Sequence, residues 1–272
     1  MQELTLKELQ QVNLDILKDV HAFCEANHIK YSIAYGTLIG ALRHKGYIPW
    51  DDDVDIVMPR PDYERFCKTY KSDNGMRMIY YGNDKTALAA FARVVECEKT
   101  DYQTERPWTA QKSGVWIDIF PLDGVKNQQE YSRRYEHLKP IIQFVYKFRR
   151  QNHHILSTDT WWSKTKTIVA RIIGLNGWLP SMILNKVIIR TMIKYNYDDC
   201  DGYGQISCLD DGPIVFSKAG FDKLVLLDFE DTQFRAMSDY DKVLRQLYGD
   251  YMKLPPEDKR APKQYWIHFY KK

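Results

Sequence analysis

The 272-residue sequence is poor in cysteine and has no long apolar run. Its five cysteines form an odd set without a C-x-x-C pair, which is typical of reduced thiols rather than of a disulfide framework. No window reaches the roughly 18 uncharged apolar residues that a membrane-spanning helix needs. The first residues lack the basic and then apolar pattern of a secretory signal. We therefore expect a cytoplasmic protein without structural disulfides.

Charge of either sign is nearly balanced, with a net charge of +3, but its distribution is uneven. Ten basic residues and one acid, Asp159, lie between Lys139 and Lys194, so this window carries +9 and the rest of the chain carries −6. The window also contains tryptophans and apolar runs. Two interpretations stay open, a solvated basic face and a peripheral docking surface for anionic lipid at the inner face of the cell membrane. Nucleic-acid binding is not expected, because the window has no recognisable motif for it.

The periodicity of apolar residues predicts alternating helices and strands in the first half of the chain. Helical spacing begins after Thr5, where the sequence Thr5-Leu6-Lys7-Glu8 has the form of a capping box. Further short helices are predicted at residues 38–43 and 62–70. Strands are predicted at residues 31–35, 51–58, 76–81, 88–95 and 115–120, and the second of these begins in a cluster of carboxylates. The pattern indicates an α+β fold, with a mixed β-sheet flanked by helices.

The second half is predicted to be helical first and mixed afterwards. Residues 128–197 favour helices, with breaks at Pro140 and at residues 174–177. The tail then favours strands at 214–216 and 224–229, a helix at 239–248, a turn at Pro255-Pro256 and an irregular basic end. We therefore divide the chain into three parts. They are a catalytic core at 1–127, a basic helical insertion or subdomain at 128–199, and a C-terminal part at 200–272 that returns to the catalytic domain.

Two carboxylates stand close together near the start of a predicted strand. Asp53 and Asp55 are two positions apart, and side chains at this spacing on a strand project from the same face. Neighbouring carboxylates repel each other unless a proton or a cation compensates, and hard oxygen ligands suit Mg²⁺ or Mn²⁺. The pair therefore predicts a metal site. A solvated Asp-rich turn before a strand is the alternative.

Two further features would complete such a site. Gly36 and Thr37 precede a short predicted helix, where main-chain N–H groups and a hydroxyl could receive a phosphate, although a plain turn explains them as well. Asp118 is a carboxylate in an otherwise apolar strand, and its burial is costly unless it is paired or bound to a metal. Taken together, these residues suggest phosphoryl or nucleotidyl chemistry.

The sequence around these residues resembles the signature of the LicD family. The resemblance rests on residues 35–56, YGTLIGALRHKGYIPWDDDVDI, and on residues 116–123, WIDIFPLD. It continues more loosely at residues 229–230 and 248–255. It implies a nucleotidyltransferase-like fold and the transfer of phosphocholine from CDP-choline to cell-surface glycans. Fukutin and fukutin-related protein, which use CDP-ribitol, are distant relatives in this family.

The resemblance also implies a role for each residue of the site. Gly36 and Thr37 would form the phosphate-side turn, and Asp53, Asp55 and Asp118 would bind Mg²⁺. In the implied in-line displacement the cation neutralises the diphosphate, while Asp118 orients or deprotonates the attacking sugar hydroxyl. The expected partners are a CDP-activated donor and a glycan, a lipid-linked oligosaccharide or a teichoic acid precursor as acceptor.

Two other functions stay open at this point. One is a nucleotidyltransferase that uses a nucleoside triphosphate and releases pyrophosphate instead of CMP. The other is an inactive nucleotide- or glycan-binding module. The presence of all three carboxylates, Asp53, Asp55 and Asp118, argues against it, because a site without a function would be free to lose residues whose burial costs free energy. The motifs leave the donor head group open among choline, ethanolamine, glycerol and ribitol.

Four basic residues are further candidates for contacts with the donor phosphates. Arg43, His44 and Lys45 lie between the turn and the acid pair, where a basic solvated loop is the competing interpretation. Arg93 lies in an apolar strand, where a surface-facing arginine is the competing interpretation.

Aromatic residues near the motifs could hold a quaternary ammonium group by their ring faces. These aromatic candidates are Tyr47, Trp50, Trp108 and Trp116. A zinc site is the least expected feature, because the cysteine spacing is not that of a zinc finger. Its candidate ligands would be Cys200, Cys208, His153 and His154.

Overall fold

The computed structural model describes residues 2–84, 87, 89–104, 114–154, 178–207, 209, 212–262 and 267–272. The described helices are α1 (Leu6–Ala26), α2 (Tyr35–His44), α3 (Arg60–Thr69), α4 (Gln128–His154), α5 (Trp178–Ile183), α6 (Arg190–Met192) and α7 (Tyr240–Tyr248), with a π-helical stretch, Leu184–Ile189, between α5 and α6. The described strands are β1 (Gln2–Glu3), β2 (Ser32–Ile33), β3 (Asp55–Pro59), β4 (Met76–Ile79), β5 (Ala92–Glu96), β6 (Thr100–Thr104), β7 (Trp116–Val125), β8 (Gly202–Gly204), β9 (Phe216–Ser217), β10 (Leu224–Phe229), β11 (Thr232–Met237) and β12 (Ile267–Lys271). The α+β class predicted from the sequence is confirmed.

The central sheet has the strand order β2-β3-β7-β5-β4. β3 and β7 run parallel, whereas β2 on β3, β5 on β7 and β4 on β5 are antiparallel. The second half of β7 also pairs with β8, which pairs with β9. A smaller sheet has the order β1-β12-β6, and β10 and β11 form a hairpin. The sheet is therefore mixed, and its one parallel pair lies at its centre.

Helix α1 covers one face of the central sheet. Thr5 and Glu8 form the predicted capping box, which satisfies main-chain groups at the start of the helix. The apolar stripe of α1 includes Ile16, Leu17 and Val20, all 0% exposed, and it joins the cluster that contains the inward residues of β3 and β7. Burial of this stripe is the main stabilising contribution of the helix, because hydrophobic burial scales with the apolar area removed from water.

The opposite face of the sheet is covered by the C-terminal part of the chain. Val57 of β3 and Phe120 and Leu122 of β7 pack in a second apolar cluster with Tyr203 of β8 and Val243 of α7. Side chains alternate between the two faces along a strand, so this second face also receives the side chains of residues 55 and 118. The functional candidates therefore lie on the face that the C-terminal part covers.

A buried ion pair joins α3 to β7. The Arg60 guanidinium donates from Nε to Asp123 Oδ1 at 2.7 Å and from Nη2 to Oδ2 at 3.0 Å. The side chains are 7% and 0% exposed. Burial opposes the charged form of Arg60, but Asp123 raises the pKa of Arg60 overall. The two parallel hydrogen bonds hold the opposite charges against each other where the chain leaves β3 and enters α3.

The structure corrects two expectations for the second half of the chain. The expected break at Pro140 is wrong, because α4 continues through this residue. Proline has no N–H group, so Pro140 cannot donate to the carbonyl of Glu136, four residues earlier. Both residues are exposed, so the missing hydrogen bond lies on the solvent side of the helix. The expected irregular end is also wrong, because β12 pairs with both β1 and β6. The expected break at residues 174–177 lies outside the described residues.

Element bounds near the site differ from the predicted ones by a few residues. The strand expected at 31–35 is only β2, because Tyr35 adopts a left-handed conformation with φ of 50° and opens α2. No helix among the described residues has the length and apolar character to cross a membrane. The three-part division at residues 127 and 199 stays a prediction.

We predict that Asp123→Asn lowers the free energy of unfolding by about 3–5 kcal/mol, because it leaves the Arg60 charge buried without a counter-charge. The matched control is Asp231→Asn, which breaks an ion pair with Lys18 in which the side chains are 67% and 35% exposed. The control should cost less than about 1 kcal/mol. Urea titrations of the three proteins measure the difference. Equal losses in both variants would contradict a stabilising role for the Arg60 pair.

Candidate functional site

Asp55 and Asp118 lie side by side on the two parallel strands at the centre of the sheet. The two residues are partners in the register of β3 and β7, and the Asp118 main-chain N–H donates to the Val54 carbonyl at 3.0 Å. Neighbouring strands are about 4.8 Å apart, so the two side chains emerge together on one face. Asp118 is the one residue of β7 that is not fully buried, and Asp55 is also half-buried. Both carboxylates can therefore be reached from solvent.

Arg93 extends this pair into a row across three strands. It is the register partner of Asp118 on β5, and its Nε donates to Asp118 Oδ1 at 2.6 Å. The guanidinium also lies over the rings of Trp116, at 4.5 Å from the ring centre, and Phe91, at 5.6 Å. Arg93 is only 8% exposed, so the interpretation of a surface-facing arginine is wrong. Its contact with a phosphate stays a prediction.

Gly36 and Thr37 lie in the first turn of α2, which begins three residues earlier than predicted. The Thr37 hydroxyl accepts a hydrogen bond of 3.0 Å from the Asp55 main-chain N–H, which ties the start of α2 to the start of β3. A Cβ atom at Gly36 would lie 2.5 Å from Asp51 Oδ2, so only glycine allows this carboxylate to approach. The helix N-terminus carries a partial positive charge, which favours an anion here. The phosphate role of Gly36 and Thr37 stays a prediction.

A second group of carboxylates lies in the loop that leads to β3. Asp51, Asp52 and Asp53 each offer an oxygen, and these oxygens lie within 4.8 Å of one another. Asp51 and Asp52 are 6% and 8% exposed, and Asp53 is half-buried. Three carboxylate oxygens at this spacing suit a hard divalent cation. Among the described residues, these three aspartates are the group whose ligand atoms all lie within 4.8 Å of one another. Asp55 and Asp118 are not part of this group.

Sequence reasoning therefore missed Asp51 and Asp52. The run of three consecutive aspartates was visible, but the argument from strand periodicity selected Asp53 and Asp55 alone. The loop has no regular periodicity, so only its folded path brings the three carboxylates together. Asp53 belongs to both the predicted set and the observed group. The metal role of Asp53, Asp55 and Asp118 stays a prediction.

Arg43, His44 and Lys45 lie at the other end of α2. A helix rises 1.5 Å per residue, so Arg43 is about 10 Å from Gly36 along the axis. Arg43 Nη1 donates to the Tyr251 carbonyl at 3.0 Å, and Lys45 Nζ lies 3.3 Å from Asp228 Oδ2. These contacts attach α2 to the C-terminal part of the chain. Their assignment to the donor phosphates stays a prediction.

His44 lies next to Arg43, whose Nε donates to its Nε2 at 3.0 Å. Burial first, and then the positive charge of Arg43, lower the pKa of His44 below its ordinary value of 6.5. The neutral form of His44 is therefore favoured at about pH 7, which argues against His44 as a source of positive charge for a phosphate.

The aromatic candidates have different surroundings. Tyr47 is buried against Phe229, with ring centres 4.9 Å apart. One face of Trp116 is covered by Arg93, and the Arg260 guanidinium lies 5.7 Å from the ring centre of Trp50. Trp108 lies outside the described residues, as do Cys208 and the side chains of His153 and His154 of the zinc hypothesis. Choline binding by these rings stays a prediction.

An apolar cavity lies beside Asp55 and Asp118, on the same face of the sheet. It is narrow and only partly enclosed. Its walls include Val57 and Leu122, which follow Asp55 and Asp118 on their strands, and the Tyr35 hydroxyl donates to Gln205 Oε1 at its edge. Sequence reasoning missed Gln205, because its segment follows β8 and reaches this face only through the pairing of β8 with β7.

The sequence is similar to known proteins over the residues that form this site. The sequence model of the family described as LicD/FKTN/FKRP, nucleotidyltransferase domain, matches residues 28–167. The chain is 35% identical over 273 residues to the lipopolysaccharide cholinephosphotransferase LicD of Haemophilus influenzae, and the match covers 96% of this chain and 97% of that protein. A shorter match, 49% identical over 51 residues, links 19% of the chain to 16% of an uncharacterized protein of Rickettsia typhi. An uncharacterized protein of Rickettsia prowazekii is 51% identical over 47 residues, or 17% of this chain and 18% of that protein.

We predict that His44 titrates with a midpoint below 6.5 in an NMR pH titration. The folded protein then binds this proton less tightly than the unfolded chain, so the contribution of His44 to stability is present above about pH 6.5 and is lost as the pH falls through the folded pKa. His44→Gln should therefore reduce the loss of stability between about pH 7 and pH 5. A midpoint at or above 6.5 would show that His44 is not held neutral.

Proposed function

Since the chain belongs to the LicD family and is a LicD-type phosphotransferase, we propose that it transfers phosphocholine from CDP-choline to a sugar hydroxyl of a glycan and releases CMP. The proposal rests on the carboxylates of residues 51–53, 55 and 118, which lie beside the N-terminus of α2 within the matched part of the chain. The name of the Haemophilus influenzae relative supports choline as the head group and a lipopolysaccharide-type glycan as the acceptor.

A divalent cation, Mg²⁺ or Mn²⁺, is part of the proposal. The donor set suits it, because carboxylate oxygens are the ligands that hard cations prefer and three of them already converge at Asp51, Asp52 and Asp53. We propose that Asp53 holds the cation together with Asp55 and Asp118, which face the same side of the sheet. When bound, the cation would neutralise charge on the donor diphosphate.

Asp118 has two tasks in the proposed reaction, because it accepts a proton in addition to binding the cation. Asp118 is kept in one orientation by Arg93, and it accepts the proton of the acceptor hydroxyl. The hydroxyl oxygen then forms a bond to the phosphorus that carries choline, while the bond from this phosphorus to the CMP oxygen breaks. The main-chain N–H groups at the start of α2 stabilise negative charge on the donor phosphates. The proton leaves Asp118 to water.

We predict that Asp53→Asn lowers the rate of CMP release from CDP-choline by about 100-fold or more, because it removes one charge from the proposed cation site. The matched control is Asp73→Asn, the same change at an exposed position, which should leave the rate within about twofold. Melting temperatures of both variants establish that each is folded. Wild-type activity of Asp53→Asn would refute the metal assignment.

The donor itself is tested by a panel of nucleotides with Mg²⁺. A ligand that binds only the folded protein raises the melting temperature. We expect a shift with CDP-choline that exceeds those with CDP-ethanolamine, CDP-ribitol, CTP, ATP and UTP. A shift with a triphosphate alone, together with pyrophosphate release, would replace the proposal by the nucleotidyltransferase alternative.

A peripheral contact with the membrane would bring the protein to a lipid-linked acceptor. The segment from Trp178 to Lys194, which is helical as far as Met192, has no acidic residue. Its exposed residues combine basic and apolar side chains, and they are Met182, Lys186, Val187, Arg190, Ile193 and Lys194. Such a surface can dock on anionic lipid, at about 1 kcal/mol per basic residue.

We predict that the protein sediments with anionic vesicles at low salt, because the basic side chains of this segment meet negative head groups. Lys186→Glu should weaken the association about tenfold, whereas Lys242→Glu, a charge reversal at an exposed position of α7, should change it far less. Equal sedimentation with neutral vesicles would contradict the electrostatic docking.

A further inference from the structure

Asn13 is a buried polar residue on the apolar side of α1. It is 1% exposed and lies among Leu9, Ile16 and Leu17 of the helix stripe. Burial of an amide costs free energy unless its groups are hydrogen-bonded. The Nδ2 group of Asn13 donates to the main-chain carbonyl of Asp52 at 3.2 Å. A polar residue at this position therefore has a specific partner in the acidic loop.

Gln10 makes the same kind of contact one helical turn earlier. Its Nε2 donates to the main-chain carbonyl of Asp51 at 2.8 Å. Residues three positions apart lie on the same side of a helix, so the two amides reach two consecutive carbonyls of the loop. The neighbouring Gln11 points elsewhere, since its Nε2 donates to Asp15 Oδ1 within α1 at 2.9 Å.

The acidic loop is confined from the other side by α2. The Asp51 carboxylate fills the space where Gly36 would carry a Cβ atom, with 2.5 Å from that position to Oδ2. The loop therefore lies between the amides of α1 and the first turn of α2. Its three carboxylate oxygens repel one another, so a loop without these restraints would spread them apart.

We propose that Gln10 and Asn13 are positioning residues that hold the acidic loop in the conformation in which the carboxylates of Asp51, Asp52 and Asp53 converge. Both amides bind main-chain carbonyls, so they fix the path of the loop without neutralising a carboxylate. The importance of this geometry for catalysis rests on the proposed function, because Asp53, one of the three convergent carboxylates, is also a ligand of the proposed cation site.

The test compares Gln10→Met with Gln11→Met, the same change at adjacent positions. Gln10→Met should raise the dissociation constant for Mn²⁺, measured from the EPR signal of free Mn²⁺, by about 5- to 30-fold, as expected for the loss of one hydrogen bond that orders a ligand loop. It should also speed hydrogen–deuterium exchange of the segment 50–54 and lower kcat more than it raises KM. Gln11→Met should change each quantity by less than about twofold.

Asn13→Leu, which has nearly the same shape, provides a second variant. It removes the donor while keeping the site filled, so the melting temperature should stay close to that of the wild type while Mn²⁺ binding weakens as in Gln10→Met. If Asn13→Leu does not fold, the comparison of Gln10→Met with Gln11→Met still decides the proposal.

The outcomes separate this inference from the proposed function. Wild-type Mn²⁺ affinity and unchanged exchange in Gln10→Met would overturn the positioning role and leave the proposed function standing. If the wild type itself binds no Mn²⁺, the metal part of the proposed function fails. The exchange of segment 50–54 then decides the positioning role alone, and equal exchange in all variants would overturn it.

Discussion

The parallel pairing of β3 with β7 is the constraint on which the carboxylate row depends. A parallel pair cannot be closed by a tight turn, and here the chain passes through α3, β4, β5 and β6 before it returns. A shift of β7 by one residue would turn Asp118 toward α1 and bring Ile117 or Ile119, both 0% exposed, to the open face. The apolar core on the α1 side therefore fixes the register, and the register places Asp118 beside Asp55.

Negative charge is concentrated at this end of the sheet, in the aspartates at residues 51–53, 55 and 118. Two carboxylate oxygens 4.8 Å apart repel by about 3–4 kcal/mol at an effective dielectric constant near 20. The partial positive charge at the start of α2 and the guanidinium of Arg93 act against this repulsion. A group of buried acids that persists under such repulsion is suited to take up a cation, which is why the proposed reaction is built around one.

Local sequence patterns predicted those features that depend on local structure. The apolar environment of Asp118 and the capping box at Thr5 lie in elements whose periodicity is visible in the chain. The prediction that Asp53 and Asp55 share a strand is wrong, because β3 begins at Asp55 and Asp53 lies in the loop before it. The strand β12 was not predicted, because its partners β1 and β6 are far away in sequence. The burial of Arg93 also depends on residues that are distant in sequence. Its guanidinium forms an ion pair with Asp118 of another strand and lies over the ring of Trp116.

The positioning amides escaped sequence reasoning for a related reason. Asn13 interrupts an apolar stripe, which was a visible signal, but its partner is a main-chain carbonyl and leaves no trace in the sequence.

Helix α1 connects the stability of the core to the geometry of the proposed site. Ile16, Leu17 and Val20 fix the rotation of the helix against the sheet, and each is 0% exposed. Gln10 and Asn13 belong to the same rigid element, so that rotation also sets where their amides meet the acidic loop. A well-packed core resists small movements of a helix because its side chains interdigitate closely. The main chain of the acidic loop is thus held by hydrogen bonds whose direction the hydrophobic core determines.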